Sequence, residues 1–384
     1  MKATLRLAGP SDMMSVVEIG AVHVPRRLVL VEPLESREAF GSWVDRMARR
    51  NRCPPGLMVE LLGLPVRAAA FRNRVGYGVV VDDGTCRAVK AATGVTASSI
   101  RLAHLSAYDG TALDLAGLAF GDVKAFLAAA RAQWADFYGS RACPRCLAAS
   151  GGVWQMWWKL SWAAVCPLHG CLLIEACPDC GGRLRRGRLG RPAELSLVHE
   201  RDPVRCAIAQ DRRRACQARL DQAPTIDAGP EFGQAQSLAV AAAEGAVPAG
   251  ADGPAVASAS WFASLKALTV VIRLAAATWV PPLPGWAAEA LLAEALEARH
   301  GTKWVAVDAP PSRPAAAAGL LLTAVRLLKE AEHVGFAEVL GPLVDAASIW
   351  RTTVLRNPLM IAGLPASLAD VLAAESRRLF MISR

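Results

Sequence analysis

Apolar side chains recur at helical spacing near the start of the chain. In SREAFGSWVDRMARR, apolar residues between positions 40 and 47 share one face of a predicted helix, with Ser36 as its cap and Glu38 in its first turn. Pro54 and Pro55 stop that helix and can begin a second one. Two short helices joined by a tight turn predict a helix-turn-helix-like unit.

A second helix pair is predicted over residues 87–105, in RAVKAATGVTASSIRLAHL. Gly94 suits the turn, and Thr96 can cap the helix that follows. If that helix enters a DNA groove, its outward polar and basic side chains would make the contacts. These side chains are Ser98, Ser99, Arg101 and His104. An ordinary helical hairpin would use the same turn chemistry, so both interpretations stay open.

The ten cysteines are too sparse for a disulfide scaffold, and their CxxC clustering indicates metal binding in a reducing compartment. Cys143 and Cys146 form one CxxC pair, and Cys166 and His169 follow after nineteen residues. Two such pairs predict a structural zinc site made of three cysteines and a histidine. Cys171 is left over and is interpreted as a small buried residue.

A second cluster is predicted to start with Cys177 and Cys180, which two glycines follow. The remaining candidate ligands are His199, Cys206 and Cys216, and the last two are separated by nine residues instead of two. We assign the two later cysteines to this site. The chain is therefore predicted to bind two zinc ions.

The zinc sites are expected to be structural. HERDP at 199–203 lacks the HExxH pattern of a metalloprotease, and the first cluster lacks the glutamate of a nucleic-acid deaminase. Four protein ligands also leave no open position for water. No acid/base constellation stands out, and the strand alternation of a DDE transposase is missing from the pattern, so we expect no enzyme.

Four tryptophans lie between the two halves of the first cluster. Small zinc modules need bulky aromatic residues to cover the metal, and Trp158 and Trp162 are assigned to that role. Trp154 and Trp157 are predicted to be surface anchors for a partner.

The net charge of +9 favours a polyanionic partner. Between positions 183 and 219 the chain has eleven arginines against four acids, a composition that suits phosphate contacts. A solvated face gives the same pattern, so both interpretations stay open. The predicted nucleic-acid contacts here are Arg183, Arg185, Arg186, Arg188, Arg212, Arg213 and Arg214.

No apolar leader is found in the first twenty residues, and the most apolar later stretch is interrupted by Lys266, Arg273 and three prolines. We therefore expect no membrane segment and an intracellular protein.

The expected fold is mainly α with small zinc-ribbon-like modules. A helix is predicted at about 121–138. The sequence after Leu220 is rich in Ala, Gly and Pro and predicts a flexible connection. The predicted regions are an irregular lead at 1–35, an N-terminal helix-turn-helix-like region at 36–140, a central double zinc-binding core at 141–220, a linker at 221–258 and a C-terminal helical domain at 259–384.

The combined motif CPRC…WWKLSWAAVCPLHGCLLIEACPDCGGRL resembles the zinc-binding core of the TniQ family, the transposon target-selection proteins related to TnsD. ESREAFGSWVDRMARRNRCPPGLMVELLGL is similar to the family's opening helix pair, and LAHLSAYDGTALDL looks like the segment before its core. The resemblance covers roughly residues 25–220. Six of the predicted ligands, from Cys143 to Cys180, match the family's pattern, whereas Cys206 and Cys216 match it loosely.

The resemblance implies a non-catalytic transposition adaptor of the bacterial cytoplasm. Family members bind double-stranded target DNA or an RNA-guided complex and recruit an AAA+ ATPase regulator, which brings in the transposase. The helical C-terminal third is compatible with a homodimer. The alternative is a zinc-containing helix-turn-helix transcriptional regulator of a mobile element, which would bind one operator as a symmetric dimer and ignore the ATPase.

Overall fold

Helices dominate the fold. A computed structural model describes residues 26–64, 76–118, 122–185, 201–206, 208, 215–246, 254–279, 281–300, 308–347 and 361–382. Over these ranges the backbone forms helices and isolated β-bridges, without an extended strand. The mainly α fold class predicted from the sequence is therefore confirmed.

The N-terminal and central helices are short, and the C-terminal ones are longer. The described α-helices are α1 (Phe40–Arg50), α2 (Pro55–Leu61), α3 (Asp83–Thr93), α4 (Ala97–Leu102), α5 (Val123–Ala132), α6 (Pro144–Ser150), α7 (Pro230–Ala243), α8 (Pro254–Ala275), α9 (Gly285–His300), α10 (Pro314–Val334), α11 (Phe336–Ala347) and α12 (Ala366–Ile382). Single 3₁₀ turns lie at Leu105–Tyr108, Met156–Lys159 and Leu220–Gln222.

The first helix begins later than its sequence predicts. Ala39 is its N-cap residue and provides no side-chain hydrogen bond, so Ser36 does not cap the helix. Glu38 lies just before the helix, where its carboxylate accepts hydrogen bonds from Ser42 Oγ and Arg46 Nη1, both at 2.7 Å. The carboxylate of this buried residue thus holds the first turn from inside the protein.

The second helix pair has the predicted ends. Gly94 ends α3 with a φ of +80°, and a Cβ atom at this position would lie 2.7 Å from the guanidinium of Arg27. Thr96 Oγ1 accepts a hydrogen bond from the backbone N–H of Ser99 at 3.1 Å and so caps α4. The turn therefore favours glycine for its backbone angle, whereas the exposed Arg27 side chain could move aside.

Two hydrophobic cores organise the described residues. The first four helices form one of them, around Phe40, Trp43 and Met47. The other runs from the cysteine-rich region, which we define as residues 143–216, into the C-terminal helices. There α10 packs against α7, α8, α9 and α11.

Part of the predicted linker is helical. Helix α7 lies within 221–258 and buries Phe232 and Gln236. The side-chain oxygen of Gln236 accepts hydrogen bonds from the backbone N–H groups of Ala164 at 2.8 Å and Val165 at 3.2 Å. Helix α7 is therefore fixed to the cysteine-rich region. The domain boundaries themselves stay a prediction.

One described helix is long and apolar enough to cross a membrane. It is α8, over Ser258–Ala275, and 78% of this window is buried inside the protein. Its buried face packs against α10 and α11. Such burial is typical of a core helix.

A buried polar network joins the cysteine-rich region to the C-terminal helices. Arg141 donates hydrogen bonds to the carbonyl oxygens of Ala163 at 2.6 Å and Pro311 at 3.0 Å. The next residue, Ser312, donates its N–H to Glu294 at 3.0 Å, and Glu294 also pairs with Arg273 of α8. The loop before α10 is thus held from both sides.

Candidate metal centres

The first pair of candidate ligands lies at the start of α6. Cys143 is the N-cap residue, and its sulfur accepts a hydrogen bond from the backbone N–H of Cys146 at 3.4 Å. Pro144 occupies the first helical position, where its missing N–H costs nothing. Helical geometry then places both sulfurs on the same side of the chain.

The second pair lies on a tight turn. Gly170 donates its N–H to the carbonyl oxygen of Cys166 at 2.8 Å and has a φ of +60°. This turn aims Cys166 and His169 at the sulfurs of the first pair.

The four donor atoms of this first cluster lie within 4.8 Å of one another. The sulfurs of Cys146 and Cys166 are 3.5 Å apart, and His169 Nδ1 lies 3.2 Å from Cys146 and 3.5 Å from Cys143 and Cys166. Tetrahedral zinc with bonds of ~2.3 Å to sulfur and ~2.0 Å to nitrogen needs about 3.8 Å and about 3.5 Å between such atoms. The cluster could therefore hold a metal ion.

Hydrogen bonds link the thiols of this cluster. Side-chain hydrogen bonds from Cys146, Cys166 and Cys171 lower the pKa of Cys143, which is buried.

The second cluster combines Cys177, Cys180, Cys206 and Cys216, whose sulfurs also lie within 4.8 Å of one another. The sulfur of Cys177 is 3.8 Å from that of Cys216, and the sulfur of Cys180 is 3.8 Å from that of Cys206. These separations match the same tetrahedral requirement. A second metal ion could bind here.

Backbone pairing brings the two widely spaced cysteines together. Cys206 donates its N–H to Ala218, and Cys216 donates its N–H to Ile208, both at 2.9 Å. The chain thus turns back on itself, and both sulfurs face the CxxC turn. On that turn Gly182 approaches Ile208 so closely that a Cβ atom would lie 2.7 Å from its side chain.

Comparison with known protein families finds a match, which covers the N-terminal helices and the first cluster. A family model described as TniQ matches residues 30–173. These residues are therefore similar to a TniQ domain. No curated protein matches the chain. The TniQ domain associates this protein with transposition, in the manner of an adaptor, and the second cluster follows directly after it.

The tryptophans of the TniQ domain are inside it. Trp154 and Trp157 were expected at the surface, but they are only 1% and 5% exposed. Both pack edge-on against Trp158, and Trp154 Nε1 donates to the carbonyl oxygen of Pro203 at 2.9 Å. Their prediction as partner anchors is wrong, because the chain around the second cluster covers Trp154.

Two predicted nucleic-acid contacts are also buried. His104 stacks on Phe40 with the ring centroids 4.7 Å apart, and its Nδ1 donates to the carbonyl oxygen of Ile100 at 2.7 Å. Arg185 lies over the ring of Trp154 and donates to Asp45 at 2.9 Å. Neither side chain can reach a phosphate or a base from these positions.

Other predicted nucleic-acid contacts reach solvent. Ser98 is exposed and Ser99 half-buried, whereas the exposed Arg101 is paired with Asp83 at 2.6 Å. Arg183 is exposed and lies 3.8 Å from Asp136. The remaining predictions fall outside the described residues, namely Arg186, Arg188, His199, Arg212, Arg213 and Arg214.

Sequence reasoning missed Asp45. This fully buried carboxylate of α1 binds Arg185 and lies 3.8 Å from Arg201, so it links the helix to the chain between the two halves of the second cluster. The available signal was weak: one acid next to the apolar face of an amphipathic helix.

Proposed function

We propose that each cluster binds one zinc ion as a structural centre. Thiolate and imidazole donors in tetrahedral arrangement are the ligands that zinc prefers. Four protein ligands per cluster leave no position for a reactive water. The ions would stabilise the cysteine-rich region, because its described residues are joined mainly by turns and isolated β-bridges and not by a β-sheet.

On this basis the protein is an adaptor for transposition with no catalytic activity of its own. The match of residues 30–173 to the TniQ family carries the proposal. The adaptor binds double-stranded target DNA, or a complex already bound to the target such as an RNA-guided one, in the bacterial cytoplasm. It then recruits an AAA+ ATPase regulator, which brings in the transposase.

The surface around the turn between α3 and α4 supports DNA contact. Arg27 lies against Gly94, and Lys90 is exposed in the last turn of α3. The polar start of α4, with Ser98, adjoins them. Such a combination of basic and small polar side chains suits phosphate and base contacts.

The same helix pair favours a second candidate function, a transcriptional regulator of a mobile element. Its glycine turn and capped second helix are what a helix-turn-helix requires. A regulator would bind one operator as a symmetric dimer without an ATPase.

The deciding experiment is co-elution of the full-length zinc-loaded protein with the AAA+ ATPase encoded beside it, with ATP and duplex DNA present. Stable co-elution that depends on ATP supports the adaptor. Tight binding to a single DNA site, without association under any nucleotide condition, supports the regulator instead.

A further inference from the structure

Cys171 touches the first cluster without belonging to it. Its sulfur lies 3.6 Å from the sulfur of Cys143. Cys171 is fully buried, and it is not one of the four residues whose donor atoms lie within 4.8 Å of one another. The thiol therefore approaches one ligand from outside the donor set.

The backbone fixes this approach from two sides. The carbonyl oxygen of Cys171 accepts the N–H of Cys166 at 2.8 Å, so the residue is attached to the turn that carries two ligands. The next residue, Leu172, donates its N–H to Ile226 at 2.8 Å, and Cys171 itself forms a bridge with Asp227. A residue held this way keeps its side chain in one place.

We propose that Cys171 donates an S–H···S hydrogen bond to the sulfur of Cys143, 3.6 Å away, when the first cluster holds its metal ion. This inference rests on the proposed zinc binding by that cluster. Cys171 is then a positioning residue, which acts on the ion through a ligand.

Charge explains why such a donor is useful. Zinc with three thiolates and a neutral imidazole carries a net charge of about −1, and this charge is buried with Cys143. A hydrogen bond to a thiolate spreads that charge. Partners of metal ligands typically change metal affinity by ~10–100-fold when they are removed. A fourth thiolate at Cys171 would instead add a second negative charge.

The test compares the full-length protein with Cys171→Ala, Cys171→Ser and the control Cys86→Ala, which removes a buried cysteine of α3. Zinc content is measured first by atomic emission. Each protein is then exposed to EDTA and N-ethylmaleimide, and mass spectrometry follows alkylation of the peptides from each cluster separately.

We expect two zinc ions per chain in all four proteins. In Cys171→Ala, the cysteines of the first cluster should be alkylated ~10–100-fold faster than in the unmodified protein, with unchanged rates at the second. The Cys171→Ser variant keeps a hydroxyl donor and should restore most of the protection. Cys86→Ala should not differ from the unmodified protein.

Each other outcome has a distinct meaning. An unmodified protein with no zinc in the first cluster removes the proposed metal function before Cys171 is tested. A Cys171→Ala protein with normal alkylation rates overturns the donor role, and one that lacks one zinc ion shows that Cys171 is a ligand instead. If Cys171→Ala does not fold, cobalt-loaded Cys171→Val decides, because valine fills the space without a donor: an unshifted thiolate-to-cobalt band overturns the inference.

Discussion

Arg185 Nη2 donates a hydrogen bond to Asp45 Oδ2 at 2.9 Å, although 140 residues separate them. Arg201 Nε lies 3.8 Å from the same oxygen. The three side chains are buried, and the two arginines come from the stretch of chain between the two halves of the second cluster. One carboxylate of α1 thus balances two cations that follow the matched residues 30–173 in the chain.

Asp45→Asn should destabilise the protein strongly. The change leaves two buried guanidinium groups without their carboxylate, and breaking a buried ion pair in this way costs about 3–5 kcal/mol. We expect the free energy of unfolding, measured by urea titration of the zinc-loaded protein, to fall by that amount. Asp202→Asn is the matched control, since its pair with Arg49 is exposed and worth under about 1 kcal/mol. Equal losses in both variants would contradict the role of Asp45.

The features that depend on neighbours in the chain could be predicted from the sequence. The turn at Gly94 and the cap at Thr96 need only a few residues, and the sequence shows them directly. Cysteine spacing likewise grouped the candidate ligands of the first cluster and the Cys177–Cys180 pair, because two ligands three apart share one turn. Spacing did not group Cys206 with Cys216, which were assigned as remaining candidates and which backbone pairing brings together.

Burial of polar side chains could not be predicted, since it depends on distant partners. Trp154 is covered by Pro203, and Arg185 reaches Asp45, contacts that span 49 and 140 residues. His104 falls on the outward face in a helical pattern, but α4 ends at Leu102, so the ring turns inward onto Phe40. The prediction for His104 assumes that α4 continues to residue 104, whereas the helix ends two residues earlier.

Cys166→Ser should remove zinc from the first cluster and unfold the TniQ domain. Structural zinc supplies on the order of 10–16 kcal/mol in small zinc modules, as much as the ~5–15 kcal/mol that a whole domain has. We expect one zinc ion fewer and lost near-UV circular dichroism. Cys86→Ser, a buried cysteine of α3 outside both clusters, should keep its metal. A folded Cys166→Ser protein with full metal content would refute the assignment.

Acid should destabilise the fold through His104. Burial lowers the pKa of His104 from 6.5 to about 4, so below pH 6.5 the unfolded chain binds a proton that the folded chain refuses. Stability from this group is present above pH 6.5 and is lost as the pH falls toward 4, by on the order of 3 kcal/mol. His104→Phe should reduce this slope in urea titrations between pH 7 and 5.

The control for that slope is His333→Gln, because His333 is exposed near the end of α10. It should keep the pH dependence of the unmodified protein. His169, a proposed metal ligand, is the same in all three proteins. An unchanged slope in His104→Phe would contradict the burial of that ring.

The arginine-rich segment should contribute to DNA affinity through phosphates. Changing Arg212, Arg213 and Arg214 to Gln should weaken binding and reduce the slope of log K against log salt by up to ~0.9 per lost phosphate contact. Fluorescence anisotropy on a labelled duplex at several salt concentrations measures both quantities.

A second triple variant separates local contact from general charge. Arg313, Arg326 and Arg378 form exposed ion pairs on the C-terminal helices, and changing them to Gln lowers the net charge equally, from +9 to +6. This variant should retain most of the salt slope. Equal slopes in the two variants would show that the arginine-rich segment does not touch phosphate.

Arg141→Gln should loosen the connection between the cysteine-rich region and the C-terminal helices. Burial lowers the pKa of Arg141 only to about 10, so its guanidinium stays charged at neutral pH while it donates hydrogen bonds to backbone carbonyl oxygens. Hydrogen bonds from charged groups are worth ~1.5–3 kcal/mol each. We expect earlier thermal unfolding and a separate transition for the C-terminal helices in calorimetry. Arg145→Gln, an exposed arginine of α6, should leave a single transition.

The backbone contact between Ala39 and Trp154, at 2.9 Å, also sets an order for protein synthesis. The two residues are 115 positions apart (154 − 39), so a ribosome adding ~5–20 residues per second needs about 6–23 s to pass from one to the other. During that interval α1 has been synthesised, but Trp154, the residue that its N-terminus contacts, has not. Because α1–α4 share a hydrophobic core of their own, the nascent chain can bury Trp43 and Met47 before Trp154 is synthesised.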